Sequence, residues 1–372
     1  GGIWAINTAD GSVKWHWNSL LDLASSDPYN GSNPHDGDFF STPVVGADGT
    51  IYSVDVNGTV TALRDDETQA SIMWDLHQPD GQSAWNYAEG AIAEDGSVLF
   101  LSDGGGGNNV FLFPGTSPAT LGGPWRSYQN SNGNLGFATG GSQATAAYVA
   151  TFIKGGLWSH PTRTLDGHWI IPTNDDATPD QLQVLDNSLQ VVWTARMNDW
   201  TDGGAATGDD GTTYIGSNGG DVRSFAPDGT PRWTVVMGGA VNSRLKYANA
   251  TIYGSAGNNT VFALNAADGS TKWSVIGGDD TWKNAPALSN DATIVYYRSK
   301  ATGLLLALDA ANGSVIWKRR VGTGLEGLTP LVGPDGTIYV GASNVLDPFV
   351  PSSTWQVARS SHQGTIPTRT NR

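Results

Sequence analysis

Ala263 to Val275 reads "ALNAADGSTKWSV", and forty-four residues later Ala307 to Arg319 reads "ALDAANGSVIWKR". A chain that rewrites thirteen residues so nearly is built from a repeated supersecondary unit. Such a unit cannot bury its apolar face alone, so copies stack on one another. Two half-patterns carry the repeat. The first is a small or Pro-containing start, an acidic turn with Gly, and a β-rich triplet. It reads "TPVVGADGTIYSV" from Thr42, "EGAIAEDGSVLFL" from Glu89 and "HPTRTLDGHWIIP" from His160. It continues as "GAATGDDGTTYIG" from Gly204, "SRLKYANATIYGS" from Ser243, "APALSNDATIVYY" from Ala285 and "TPLVGPDGTIYVG" from Thr329. The second half is an apolar strand, a tight turn and a strand bearing Trp15, Trp74, Trp125, Trp193, Trp233, Trp273 or Trp317.

Asp-Gly or Asn-Gly between two short β runs is a hairpin signal, because Gly accepts the positive φ that tight turns require. Each half is therefore a strand-turn-strand, and the two together make a four-stranded antiparallel unit of about forty residues. A buried Trp removes roughly 150–250 Å² from water, about 4–6 kcal/mol gross, so its return in every unit reads as packing between sheets. Composition agrees: 49 Gly, 15 Trp and short runs rich in Val, Ile and Tyr suit strands, not helices.

Seven first halves and seven second halves are present, but out of phase. "IWAINTADGSVKW" from Ile3 has no first half before it, and the half that opens at Thr329 has no Trp strand after it. The expectation is an all-β, seven-bladed β-propeller of four-stranded antiparallel blades, with the N-terminal strands completing the last blade. Closure of this kind leaves no open sheet edge. The expected single propeller domain spans residues 1–346. It has an inserted loop at 127–156, where the unit spacing is long by about thirty residues, and an excursion at 20–40. A Ser-, Thr- and Pro-rich tail covers 347–372.

The segments "LLLALDAANGSVIW", "VFALNAADGSTKW" and "GIWAINTADGSVKW" resemble the pyrroloquinoline-quinone-type propeller repeat, with its apolar strand, Ala-Leu-Asp-Ala, Gly turn and Trp. The resemblance extends over nearly the whole ring and is weakest at "VFLFPGTSPATLGGPW". That family includes quinoprotein alcohol dehydrogenases and the propeller lipoprotein of the outer-membrane assembly machinery. The resemblance implies the fold, which hosts several functions. Its quinone enzymes have eight blades, a Ca²⁺ beside the cofactor and commonly a vicinal disulfide. Here seven units are counted and Cys is absent. No cofactor is therefore expected, with Ca²⁺ the one ion the sequence allows.

Binding groups in a propeller gather at the mouth of the central channel, which the first strand of each blade lines. Aligned on the turn, the seven openings prefer a small residue followed by Pro, and three ionisable residues break that rule: Glu89, His160 and Arg244. Departures from a local rule that serves the fold tend to mark functional sites. These three are the candidate catalytic residues. Tyr87, Trp158, Asp202, Asn242, Trp282, Lys283 and Glu326, just upstream of the openings, are the candidate binding residues. A base, a cation and aromatics around one channel suit a sugar or uronate, the cation neutralising a carboxylate while His or Tyr moves a proton. The bland alternative is an ion pair of Glu89 with Arg244 and a hydrogen-bonded core His160.

Other signals exclude more than they assign. A net charge of −15, from 20 Lys plus Arg against 35 Asp plus Glu, argues against nucleic acid. Without Cys there is no disulfide or thiolate chemistry. No apolar run is long enough to span a membrane as a helix. "DPYNGSNPHDGD" is oxygen-rich and can hold Ca²⁺, but it lacks EF-hand spacing. His160 and His168 are eight residues apart across a turn, which gives them no reason to share a zinc ion. Sequons at Asn30, Asn57, Asn249, Asn258 and Asn312, with low charge density, point to a secreted or periplasmic protein. The sequence thus favours a binding or scaffold propeller for a protein or glycan ligand. A polysaccharide lyase or hydrolase is the first alternative and a quinone-dependent dehydrogenase the second.

Overall fold

The computed structural model describes residues 2–6, 13–18, 44–45, 50–54, 59–77, 90–92, 96–104, 107–113, 149–152, 156–157, 159–174, 181–277, 285–299, 302–320, 329–332, 337–340 and 356–359. An N-terminal hairpin joins β1 (Gly2–Ile6) to β2 (Val13–Asn18). Six four-stranded antiparallel sheets follow, each with its strands hydrogen-bonded in chain order. The first holds β3 (Val44–Val45), β4 (Ile51–Val54), β5 (Thr59–Asp65) and β6 (Ala70–His77). The second holds β7 (Ala91–Ile92), β8 (Val98–Gly104), β9 (Gly107–Phe113) and β10 (Val149–Phe152). The third holds β11 (Thr162–Arg163), β12 (Trp169–Pro172), β13 (Gln181–Leu185) and β14 (Val191–Arg196). The fourth holds β15 (Ala206–Thr207), β16 (Thr213–Gly216), β17 (Asp221–Phe225) and β18 (Pro231–Val236). The fifth holds β19 (Lys246–Ala248), β20 (Thr251–Ala256), β21 (Thr260–Asn265) and β22 (Thr271–Ile276). The sixth holds β23 (Ala287–Leu288), β24 (Ile294–Arg298), β25 (Leu304–Asp309) and β26 (Val315–Arg320). The seventh has three strands, β27 (Leu331–Val332), β28 (Thr337–Val340) and β29 (Gln356–Arg359).

The chain divides into two compact units. Gly1–Trp125 with Gly136–Arg196 holds the hairpin and the first three sheets; Arg126–Leu135 with Met197–Arg372 holds the other four.

The recurring letters have a geometric cause. In six hairpins that carry a Trp strand the register shifts beside the Trp: at Ala5/Ile6, Ala62/Leu63, Val184/Leu185, Ser224/Phe225, Ala263/Leu264 and Ala307/Leu308. The Trp stands each time opposite the residue before the shift: Trp15 on Ala5, Trp74 on Ala62, Trp193 on Val184, Trp233 on Ser224, Trp273 on Ala263, Trp317 on Ala307. In four sheets the same small residue also faces the Tyr of the β-rich triplet on its other side. Tyr and Trp therefore meet over a short side chain, with ring centroids 6.0 Å apart for Tyr52–Trp74, 5.7 Å for Tyr214–Trp233, 6.1 Å for Tyr253–Trp273 and 6.0 Å for Tyr296–Trp317. Such aromatic pairs add about 0.5–1.5 kcal/mol each beyond buried area.

The aromatic pair then latches onto the following sheet. Trp233 Nε1 and Tyr214 Oη both donate to the carbonyl of Ala266, at 3.0 and 3.2 Å. Trp273 Nε1 and Tyr253 Oη both donate to the carbonyl of Ala310, at 2.9 and 3.4 Å. The indole lies flat on the turn Gly beneath it. A Cβ at Gly313 would come 2.7 Å from Trp273 Cδ2, and its φ is +74°. That Gly is thus required twice, for the left-handed turn and for the close approach of the ring. We expect Gly313→Ala to cost on the order of 2–4 kcal/mol, combining the left-handed penalty with the displaced indole. Denaturant unfolding checks it, and a loss below about 0.5 kcal/mol would show that the contact is slack.

Three features depart from the sequence reading. The fourth strand of the second sheet is β10, from the end of the 127–156 stretch expected to be a loop; it pairs with β9. The expected Trp strand there, at Trp125, lies outside the described residues. Val149 holds the Trp register position, opposite Leu112, which in turn faces Leu99 where other sheets have Tyr, so aliphatic residues stand at all three places. Lastly, β28 pairs with β29 from the tail, where the N-terminal strands had been expected, and β1 is hydrogen-bonded to β2. An open strand edge accepts any extended segment in reach, and the tail supplies one. The N-terminal hairpin nevertheless repeats the latch, since Trp15 Nε1 donates to Asp65 Oδ1 at 2.8 Å on the turn of the first sheet.

Candidate functional site

Of the candidate residues, Tyr87, Glu89, Trp158, Trp282, Lys283 and Glu326 lie outside the described residues, as does the oxygen-rich stretch 27–38. His160, Asp202, Asn242 and Arg244 are described, and all are buried. His160 belongs to the first unit and the other three to the second.

His160 precedes Pro161 and β11, and is 2% exposed among the buried polar residues Ser159, Thr162 and Thr164. Two residues into that strand, Arg163 lays its guanidinium over Trp169, 4.3 Å from the ring centroid, and donates from Nη2 to the Gly167 carbonyl. A cation on an indole face is held by the ring quadrupole, more strongly once water is excluded. His168 instead lies on the turn, where Nδ1 is 3.1 Å from Asp166 Oδ2.

In the second unit the structure brings Asp202, Asn242 and Arg244 onto adjoining backbone. Leu245 N–H donates to the Gly204 carbonyl at 3.1 Å, so residues 202–204 run alongside 242–245. A Cβ at Gly203 would lie 2.4 Å from the Ser243 carbonyl oxygen, which is why Gly stands between Asp202 and Gly204. Asp202 Oδ2 accepts from Asn218 Nδ2 at 2.7 Å, and Ser243 Oγ accepts the Ser255 N–H at 2.9 Å.

The residue that sequence reasoning missed is Lys246. Counted from the turn, it matches Val45 and Thr207 on neighbouring units. In the fold it stands opposite Tyr253, where other sheets place Val44, Ala206 and Ala287 opposite their Tyr. The cause is the turn. Here Ala248 pairs with Thr251, leaving two turn residues, Asn249 and Ala250, with φ of +51° and +53°. The usual first turn is longer, so β19 slips by one residue, and a one-residue slip moves every side chain to the opposite face. Lys246 is fully enclosed, and its amine is held well below the ordinary lysine range by burial and then by the neighbouring Arg244 guanidinium. A trace of this stands in the sequence: "YANAT", like "SNDAT" of the sixth sheet, lacks the Gly that the other five turns carry. Arg298 at the end of β24 is a further buried cation that the columns did not flag.

Within each unit, then, the described candidates are buried polar and cationic groups on and beside the first strands of the sheets. Such groups can hold and balance charge within the fold. Among the described residues no three His, Asp or Glu side chains form a metal-binding group, and the Cys-free sequence has no vicinal disulfide to offer a quinone. Asn249, Asn258 and Asn312 of the sequons are exposed, while Asn30 and Asn57 lie outside the described residues.

Comparison with known proteins places this architecture. No curated protein matches the sequence. Among solved structures, BamB from Moraxella catarrhalis superposes with a TM-score of 0.62 at 16% identity, covering 98% of this chain and 91% of that one. A europium-containing methanol dehydrogenase superposes with a TM-score of 0.59 at 12% identity, covering 92% of this chain and 79% of that one. At these identities the likeness is one of fold: the sheets are propeller blades. The family model described as outer membrane protein assembly factor BamB matches residues 180–371, just over half of the chain. The protein therefore belongs to the outer membrane protein assembly factor BamB family of β-propellers built on pyrroloquinoline-quinone-type repeats.

Proposed function

We propose that this protein is a non-catalytic binding propeller of the periplasm, which holds protein partners in outer-membrane protein assembly. The observation that carries the reading is where its apolar and polar side chains lie. The described candidate catalytic and binding residues are sealed, whereas the exposed large apolar side chains among the described residues, Val191, Val192, Val236, Ile276, Val315 and Ile316, all sit on fourth strands at sheet edges. Exposed β-branched residues on an open strand edge suit protein surfaces and extended segments. A glycan is better met by aromatic faces, and these six are aliphatic. The family membership and the BamB fold neighbour support a partner in outer-membrane assembly.

Deleting the gene in its host tests this. The expected result is a fall in folded outer-membrane β-barrel proteins, restored by the wild-type gene. Unchanged barrel levels would sink the reading. A thermal shift and alcohol-dependent dye reduction on adding pyrroloquinoline quinone with Ca²⁺ would replace it with the dehydrogenase.

A further inference from the structure

The ends of the fourth strands in the second unit differ from blade to blade in a way the fold does not require. Val236, Ile276 and Arg320 hold equivalent places, each opposite the first residue of its third strand: Asp221, Thr260 and Leu304. Val235, Val275 and Arg319 come one step inward, and Thr234, Ser274 and Lys318 the next. The Trp233 and Trp273 latches dock these three blades in succession, so equivalent positions follow one another along a single rim. That rim is aliphatic on two blades, with Val236 at 76% and Ile276 at 89% exposure, and basic on the third, where Lys318 and Arg319 are exposed.

Neither half is explained by stability. An isoleucine this exposed gives almost nothing to the core, and a strand edge needs one lysine, not "KRR", to discourage pairing with its like. "KRR" is also a local reversal of charge in a chain of net −15. We propose that this rim, from Val236 through Ile276 to Lys318 and Arg319, is a docking surface for an extended acidic segment of a partner protein. Its aliphatic side chains rest on Val236 and Ile276, and its carboxylates face Lys318 and Arg319. Among the described residues no strand pairs with the outer edge of β26, which offers backbone groups to the same segment. Charge selects this occupant over an anionic membrane. Screening limits a narrow peptide to local charges within about 8–10 Å, whereas a lipid surface faces much more of the acidic molecule. The inference rests on the protein-binding reading and names its surface.

The test uses the whole protein and a labelled synthetic peptide in which glutamate alternates with valine, read by fluorescence anisotropy. Binding is expected to weaken with salt. It should drop about tenfold in Lys318→Glu/Arg319→Glu, and fall similarly in Val236→Ser/Ile276→Ser, with thermal unfolding unchanged in both variants. A lysine-valine peptide binding equally well, or variants that bind like wild type, would overturn the assignment. So would binding of phosphatidylglycerol vesicles, but not the peptide, that the same variants abolish. The deletion experiment decides the broader reading separately. If gene loss depletes barrels but a strain carrying Lys318→Glu/Arg319→Glu is normal, the surface is wrong and the function stands.

Discussion

Trp273→Ala is expected to lower unfolding stability by about 3–5 kcal/mol. The indole is buried, lies 6.1 Å from the Tyr253 ring, covers Gly313 and donates to Ala310 at 2.9 Å. Truncation opens a cavity between two consecutive blades, and rigid strands on both sides limit its collapse. The Ala310 carbonyl keeps the Tyr253 hydroxyl as a weaker donor at 3.4 Å, so the loss is mainly packing. Trp273→Phe, which spares most of the volume, should cost about 1 kcal/mol for the hydrogen bond. Trp233 makes the same bond but is only partly buried, and its alanine variant should lose less than Trp273→Ala. Urea unfolding of the three variants checks the order; equal losses for Trp233→Ala and Trp273→Ala would show that burial is not the determinant.

The second large effect has the opposite sign. Lys246→Met is expected to stabilise the protein by about 1–4 kcal/mol at pH 7, because folding must strip the proton from a fully buried amine near the Arg244 guanidinium, and an apolar chain of similar volume carries no such cost. Burial and Arg244 hold the native amine well below its ordinary 10.5. Between the native value and 10.5 the unfolded chain carries a proton that the native state does not. Stability must therefore rise with pH across that window, by up to about 1.4 kcal/mol per unit. The methionine variant lacks this proton, so its advantage should be wider at pH 7 than at pH 9. Denaturant unfolding at the two pH values measures it, and a constant advantage would mean that the amine is charged in the native state.

Much of the fold could be read in the letters because its causes are local. The Asp-Gly and Asn-Gly turns require positive φ, as at Gly269 and Gly313, and Ala263 and Ala307 are small because Tyr and Trp rings must meet across them. The choice of Glu89, His160 and Arg244 from broken columns reached buried polar ground at His160 and Arg244, with Asp202 and Asn242 beside Arg244. It missed Lys246, since an alignment counted from a turn assumes that the turn has constant length, and "YANAT" closes in two residues. The origin of β10 was hidden for a related reason: hydrogen bonding to β9 imposes no sequence motif on Val149–Phe152.

By itself, then, the sequence determined the repeating sheet, its hairpins and the aromatic latch, because each depends on residues within one unit or on a contact repeated between neighbours. The tertiary structure alone decided which extended segment fills a given edge, as β29 does on β28, and which face of β19 carries its lysine. Backbone hydrogen bonds between strands are indifferent to side-chain identity, so such choices are made by the length and reach of the chain and by what the packed neighbours leave open.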